Sequence, residues 1–250
     1  VPKPPRARAD QLVVERGLAP SRTRAQALIM AGAVWIGERR VEKPGDLLPT
    51  DAALDVRGED HPWVSRGGVK LAGALDGFGL DPTGLVAIDV GASTGGFTDV
   101  LLARGAARVY AVDVGYGQLH DKLRRDPRVV VHERTNARTM TPETLGLPGP
   151  TLELCVVDAS FIGLEKLLPA IASVLRPGGQ LVALVKPQFQ VRRDEVGKGG
   201  IVRDDALRMR ASDEVAAAAR EAGFAVEGEA DCVLAGPGGN RERFLWATRR

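Results

Sequence analysis

The sequence predicts an α/β fold: a mostly parallel sheet with helices on both faces, preceded by a small α+β module. Three observations predict it. After residue 62, short apolar runs alternate with helical patterns, as in parallel βαβ units. Gly91, Asp113, Asp158 and Lys186 stand where those runs end, and ligands of such sheets lie beyond the carboxyl ends of the strands. Ahead of residue 58 the pattern changes to two short helices and a few short strands around a small core, a unit that needs a larger partner to be stable.

Each element has a local reason. Residues 1–8 are a basic arm, VPKPPRAR. Leu12 and Val13 lie on a first helix that ends at Gly17. Ser21 caps a second, with Ala25, Leu28 and Ile29 at helical spacing and Gly32 as its stop. VWIGERRV alternates around a glycine turn, and ALDV is a last short strand, closing a module over 9–57. The polar break GEDHP begins a linker over 58–64. Trp63 at its end reads either as a link between the domains or as a plain packing residue. From 65 to 250 a larger domain follows. Leu71, Leu75 and Phe78 pattern its first helix, with Lys70 in the first turn. Strands are expected at 86–90, 109–112, 129–131, 154–157 and 181–185. A helix over 164–175 is stopped by Pro177-Gly178-Gly179, and a long helix covers 207–222. Strand-like pieces follow near 225–233 and 244–248.

Composition narrows the class. The chain has 250 residues, 44% hydrophobic and 26% charged, which excludes a disordered, collagen-like or disulfide-scaffold protein. A net charge of +2 excludes a polycation, so nucleic-acid binding requires local patches. Cys155 and Cys232 sit in apolar runs and read as buried free thiols of a reduced, cytoplasmic compartment. No apolar run reaches the roughly 20 residues of a membrane span, and the basic start lacks the apolar core of a signal peptide. No metal site is expected.

The segment DVGASTGGFTDVLL places three glycines between a strand and a helix. The dinucleotide fingerprint needs glycines at offsets zero, two and five; here Gly91, Gly95 and Gly96 fall at zero, four and five. No G-K-[ST] follows, which argues against a nucleoside triphosphate. Asp113 comes 22 residues after Gly91 at the next strand end, where an acid can bond both hydroxyls of a ribose. A ribose-bearing ligand without pyrophosphate fits S-adenosylmethionine. A merely tight strand–helix turn is the plain alternative.

Seven runs then carry a resemblance: VSRGGVKL, DVGASTGGFTDVLL, AVDVGYGQL, RTNAR, VDASFI, LVKPQF and GGNRERFLW. In order and over nearly the whole chain, they are similar to the TlyA family, the haemolysin-named ribosomal RNA 2′-O-methyltransferases with an FtsJ-like catalytic domain. The front segment from Arg8 to Asp46 resembles the ribosomal protein S-four-type RNA-binding module. The resemblance implies a Rossmann-like class I methyltransferase fold with a mostly parallel seven-stranded sheet. It implies a Lys–Asp–Lys–Glu tetrad at Lys70, Asp158, Lys186 and Glu242. It also implies S-adenosylmethionine contacts from Gly91, Ala92, Ser93, Asp113, Asn136 and Ala137. Gly95, Gly96, Phe97 and Asp158 join them as candidates. Arg243 departs from the family, whose members more often carry an aromatic after the acid.

The chemistry suits those residue types. A ribose 2′-hydroxyl must lose its proton as it attacks a sulfonium methyl, and a neutral amine can take it. An unperturbed lysine, near 10.4, is almost wholly protonated, but burial and a second cation favour the neutral form. Lys186, on a strand end before Pro187, is the expected base. Lys70 is the expected neighbouring cation, and Asp158 and Glu242 orient the pair. Lys70 alone reads as a solvated surface lysine, and Glu242 alone as a hairpin acid. VDASF stands where base-amine methyltransferases carry an N-P-P-Y-type run, which disfavours base methylation.

Residues 1–57 hold ten Lys/Arg against seven Asp/Glu, a modest patch for phosphates. Arg6, Arg8, Arg22, Arg24, Arg39 and Arg40 are the candidates there, joined by Arg66 at the start of the larger domain. Arg192, Arg193 and Lys198 lie on a long Gly-rich loop after Pro187, and such loops are often substrate clamps expected to order on binding. The expected partner is ribosomal RNA or a ribosomal subunit, met by a monomer. Two other classes compete: a non-catalytic ribosome-assembly factor, which the filled tetrad disfavours, and a membrane-active haemolysin, which the lack of a basic amphipathic segment disfavours.

Overall fold

In the computed structural model, which describes residues 5–56, 61–236 and 239–250, the front module is built on seven short elements. They are β1 (Arg6–Arg8), α1 (Ala9–Glu15), α2 (Arg22–Met30), β2 (Val34–Ile36), β3 (Arg39–Arg40), β4 (Leu47–Pro49) and β5 (Leu54–Val56). Ser21 caps α2 by accepting from the Arg24 amide, and Gly32 follows the helix at φ +80°, as the sequence suggests. Val13, Ala25, Ile29 and Leu48 close a small core between the helices and strands.

Two features depart from the sequence reading. Arg6–Arg8 is a strand rather than part of a loose arm: it pairs antiparallel with β4, Arg6 opposite Pro49 and Arg8 opposite Leu47. Leu48 is buried on this ribbon, which anchors the strand that pairs with Arg6–Arg8. Residues 1–4 of the expected arm lie outside the described residues, as do 58–60 of the expected linker.

The larger domain holds α3 (Gly67–Phe78), β6 (Val86–Val90), α4 (Gly96–Ala103), β7 (Arg108–Val112), α5 (Asp121–Arg124) and β8 (Val129–His132). After them come β9 (Leu152–Val157), α6 (Leu168–Val174), β10 (Leu175–Val185), α7 (Asp205–Glu221), β11 (Phe224–Asp231) and β12 (Arg243–Arg249). Seven strands form one sheet in the order β11-β12-β10-β9-β6-β7-β8. From β10 to β8 every pairing is parallel; β12 runs antiparallel between β10 and β11.

Side chains alternate across this sheet and feed two cores. Ile88, Val90, Cys155 and Val157 face one side, against Ile171 of α6 and Val215 of α7. Ala87, Leu154 and Val156 face the other, against Leu71 of α3 and Val100 of α4. Burial on both faces explains why the strands read as unbroken apolar runs. The chain leaves β6 for β7 on one side and β9 lies on the other, so the sheet opens a crevice at their carboxyl ends, the usual ligand position.

The expected helix over 164–175 is shorter. A 3-10 turn (Leu164–Lys166) precedes α6, and β10 has already begun at Leu175, opposite Leu152. Pro177-Gly178-Gly179 lie in a register irregularity of that strand between Leu175 and Gln180.

Candidate active site

Four charged side chains from four elements converge at the crevice. Lys70, on the second turn of α3, points its Nζ at Glu242 Oε2, 2.5 Å away. Lys186, just past β10, places its Nζ 2.6 Å from Asp158 Oδ1, and it donates to Ser160 Oγ at 2.8 Å. The ion pair to Asp158 lacks the alignment of a hydrogen bond, so Ser160 is the oriented partner. Both lysines are only 8% exposed, and Glu242 is 1% exposed. Lys70, Asp158 and Lys186 line one cavity.

The electrostatics bind the four into one unit. Burial works against the charged form of Lys70, but the carboxylates of Asp158 and Glu242 outweigh it and hold its ammonium above the usual lysine range. Burial likewise opposes charge on Asp158, yet Lys186 and Lys70 together keep its carboxyl below the usual range. Burial dominates at Glu242 and pushes it up, against the pull of both lysines. Glu242 Oε1 has no hydrogen-bond partner.

Beside this unit lies a glycine cradle. Gly91 follows β6 at φ +86°, and a Cβ there would lie 2.8 Å from the Asp158 carbonyl oxygen. Only glycine lets the two strand ends approach this closely. Gly95, at φ +96°, packs where a Cβ would strike Leu123. Gly96 lets the start of α4 meet Ser65 and Gly68. Asp113 ends β7, where its Oδ2 accepts from the Ser93 amide at 2.8 Å and its Oδ1 from the Gly115 amide at 2.6 Å. Each oxygen keeps an unused lone pair. Gly91, Ser93, Asp113, Asn136, Ala137 and Asp158 line a cleft of about 560 Å³, a size usual for small-molecule sites.

Comparison with known proteins decides the family. An FtsJ-like methyltransferase model matches residues 63–249 and an S4 domain model matches residues 7–53. The chain is 50% identical over 242 residues to the 16S/23S rRNA (cytidine-2′-O)-methyltransferase TlyA of Mycobacterium tuberculosis, covering 96% of this chain and 89% of that one. It is 38% identical to Hemolysin A of Brachyspira hyodysenteriae over 94% of its own length and 97% of the relative's. A solved haemolysin-named protein from Streptococcus thermophilus superposes with a TM-score of 0.76 at 42% identity, over 98% of this chain and 89% of that one. The chain belongs to the TlyA family of FtsJ-like methyltransferases. More distant likeness extends to a methyltransferase of Mesorhizobium loti, with a TM-score of 0.53 at 15% identity over 71% of this chain and 96% of that one, which shows the shared fold.

Against this TlyA-family frame, the structure redistributes several expected site residues. Phe97 is 3% exposed, its ring 6.2 Å from that of Phe244; it does not line the 560 Å³ cleft, but it borders the adjoining cavity with Gly91, Ala92, Ser93 and both lysines. Its helical position after Gly96 turns it inward beneath α3. Arg8 and Arg22 each place a guanidinium Nε 2.9 Å from the buried Asp10 carboxylate, so the S4 module's own interior engages both. Arg6 and Arg39 are exposed. Arg24 stands with Thr94 and His120 around a small cavity between the domains. Arg40 lies over the Trp35 ring, 4.6 Å from its centroid, and with Arg66 it lines the cavity in front of Lys70. Arg192, Arg193 and Lys198 are exposed. Their loop is already folded: Asn240 accepts from the Val202 amide and donates to the Gly200 carbonyl. Trp63 packs on Gly68 within the catalytic domain. Arg243 pairs with Asp231 at 2.8 Å.

Some residues of the site escape sequence reasoning. Ser160 orients Lys186, and only its place two residues after Asp158 hints at it. Asp89, wholly buried at the foot of the cradle, takes the Thr98 amide and hydroxyl on Oδ2 and leaves Oδ1 unpartnered. Among the described residues no cluster of His, Cys, Asp or Glu could hold a metal ion, and no helix is long and apolar enough to cross a membrane.

Proposed function

We propose that the protein methylates a ribose 2′-hydroxyl of ribosomal RNA, at a cytidine, with S-adenosylmethionine as donor and Lys186 as general base. One observation carries the reading: two buried lysine–carboxylate pairs, Lys70–Glu242 and Lys186–Asp158, stand beside a glycine cradle with a ribose-ready aspartate. The ribosomal substrate and the cytidine rest on the name of the mycobacterial relative. The S4 domain match supports RNA as partner, and the reading places the protein in the cytoplasm.

The cradle fits the donor. Asp113 keeps one acceptor site on each oxygen for the two hydroxyls of a ribose. Gly91 lets the end of β6 close against the Asp158 backbone, and Asn136 and Ala137 line the same cleft. S-adenosylmethionine supplies an electrophilic methyl group on a sulfonium.

The chain's own residues do the rest. Ser160 and Asp158 hold the Lys186 amine in one orientation, and a deprotonated Nζ receives the hydroxyl proton as the oxygen attacks. Lys70 stays a cation because two carboxylates face it, and it offsets charge growing on the attacking oxygen. Glu242 keeps Lys70 in place.

The test maps 2′-O-methyl positions in ribosomal RNA treated with the wild type, Lys186→Ala and Lys186→Arg. Both variants are expected to lose about 10²- to 10⁴-fold in rate while calorimetry shows donor binding retained. Activity in Lys186→Arg would remove the base assignment, since arginine does not deprotonate. Methyl groups found on base amines would remove the ribose assignment.

A further inference from the structure

The cavity in front of the two lysines, about 190 Å³, has walls from both domains. Lys70, Asp158 and Lys186 stand on the catalytic side; Gly32, Arg40 and Glu42 of the S4 module stand opposite. Arg66, preceding α3, crosses between them, with its Nη1 3.9 Å from Glu42 Oε2. Gly32 is shaped for this crossing: a Cβ there would lie 2.7 Å from Arg66 Cδ. The turn that stops α2 is thus also the groove for the Arg66 stem.

Arg40, Arg66, Lys70 and Lys186 suit a polyanion. Asp158 is spoken for by Lys186 and Lys70. Glu42 is not part of that unit. A carboxylate at the mouth of a phosphate-binding cleft repels the ligand, a cost that proteins use to reject wrong partners. Its grip on Arg66 is weak by construction. The pair is longer than a hydrogen bond, and its side chains are 29% and 46% exposed, a setting in which ion pairs contribute little. A phosphate that meets the guanidinium fork with two short bonds outcompetes it.

We propose that Glu42 gates the substrate cleft. It holds the Arg66 guanidinium, which takes an RNA backbone phosphate beside the target ribose, and releases it to RNA that also engages the S4 module. This rests on the RNA-methyltransferase reading above.

The experiment compares the full chain with Glu42→Gln, Arg66→Gln and the double variant. Binding is read by fluorescence anisotropy on a ribosomal RNA fragment and on an unrelated RNA of equal length. Methyl transfer to ribosomal subunits is read separately. Glu42→Gln is expected to tighten binding of the unrelated RNA about twofold to fivefold, the range of an exposed ion pair. It lowers discrimination between the two RNAs, and the gain disappears in the double variant. Unchanged binding in Glu42→Gln, weaker binding of both RNAs, or a gain that survives Arg66→Gln would each overturn the gate. Absence of methyl transfer to any RNA, with the binding pattern intact, would instead count against the enzymatic reading alone.

Discussion

Two aspartates with no solvent exposure, Asp10 in the S4 module and Asp89 in the catalytic domain, meet opposite fates. Burial alone would raise both. At Asp10, hydrogen bonds from Arg8, Gln26 and Arg22 overturn it, and the carboxyl is held well below the usual range. At Asp89 only Thr98 answers, Asp158 adds like charge, and the group is pushed up to about 7. The difference separates two uses of a buried acid. Asp10 is satisfied and fastens a small core that has few other resources. Asp89 is left short of partners at the edge of the cavity that Lys70 and Lys186 line. Under-satisfied, shifted groups gather at working sites.

Three substitutions sharpen or break this comparison. The largest effect is expected at Asp89. Its raised value means the charged form is penalised in the folded protein, a penalty absent below pH 4 and complete above about pH 7. Asp89→Asn removes it. Thermal unfolding should show stabilisation at pH 8, up to about 4 kcal/mol for a shift of about 3 units, and none at pH 4. An equal gain at both pH values would show that Asp89 is not under charge stress. At Asp10 the sign reverses. A depressed carboxyl contributes stability above about pH 4 and loses it as pH falls further. Asp10→Ala should cost about 2 kcal/mol at pH 7, the scale of hydrogen bonds to a charged group, with most of that cost still present at pH 3, where the folded-state carboxyl stays charged, and fading only in stronger acid. Donor affinity measured by calorimetry should not move, because Asp10 lies in the other domain. The smallest effect is expected at Ser160, which accepts from the Lys186 ammonium. Ser160→Ala removes the oriented contact to Lys186 and should slow methyl transfer about tenfold, with donor affinity kept. A larger loss of donor affinity than of rate would assign Ser160 to the cofactor instead.

Much of this was legible from residue order. The strand at 86–90 matches β6 residue for residue, because a strand buried on both faces is apolar at nearly every position, Asp89 being the exception here. Ser21, Gly17 and Gly32 marked helix ends through local backbone chemistry. Other features were hidden because their cause is distant. The ribbon of Arg6–Arg8 with β4 joins segments some forty residues apart, and its polar strand carries no apolar alternation. Phe97 packs its ring near Phe244 while still bordering the lysine cavity, a double position that helix phase sets and that the local motif does not reveal. The ion pairs of Arg8 and Arg22 with Asp10 were hidden as well, because the three residues meet only in the folded module.

Residue order by itself set the sheet and the glycine turn, since each follows from periodicity or backbone freedom; the four charged side chains were singled out only by the resemblance of their motifs to FtsJ-like enzymes. Which lysine pairs with which carboxylate, that Ser160 aims Lys186, and that Glu42 reaches Arg66 across two domains were decided only by tertiary structure. Those pairings span up to 172 positions in the chain, and an electrostatic contact depends on distance in space, on which local sequence is silent.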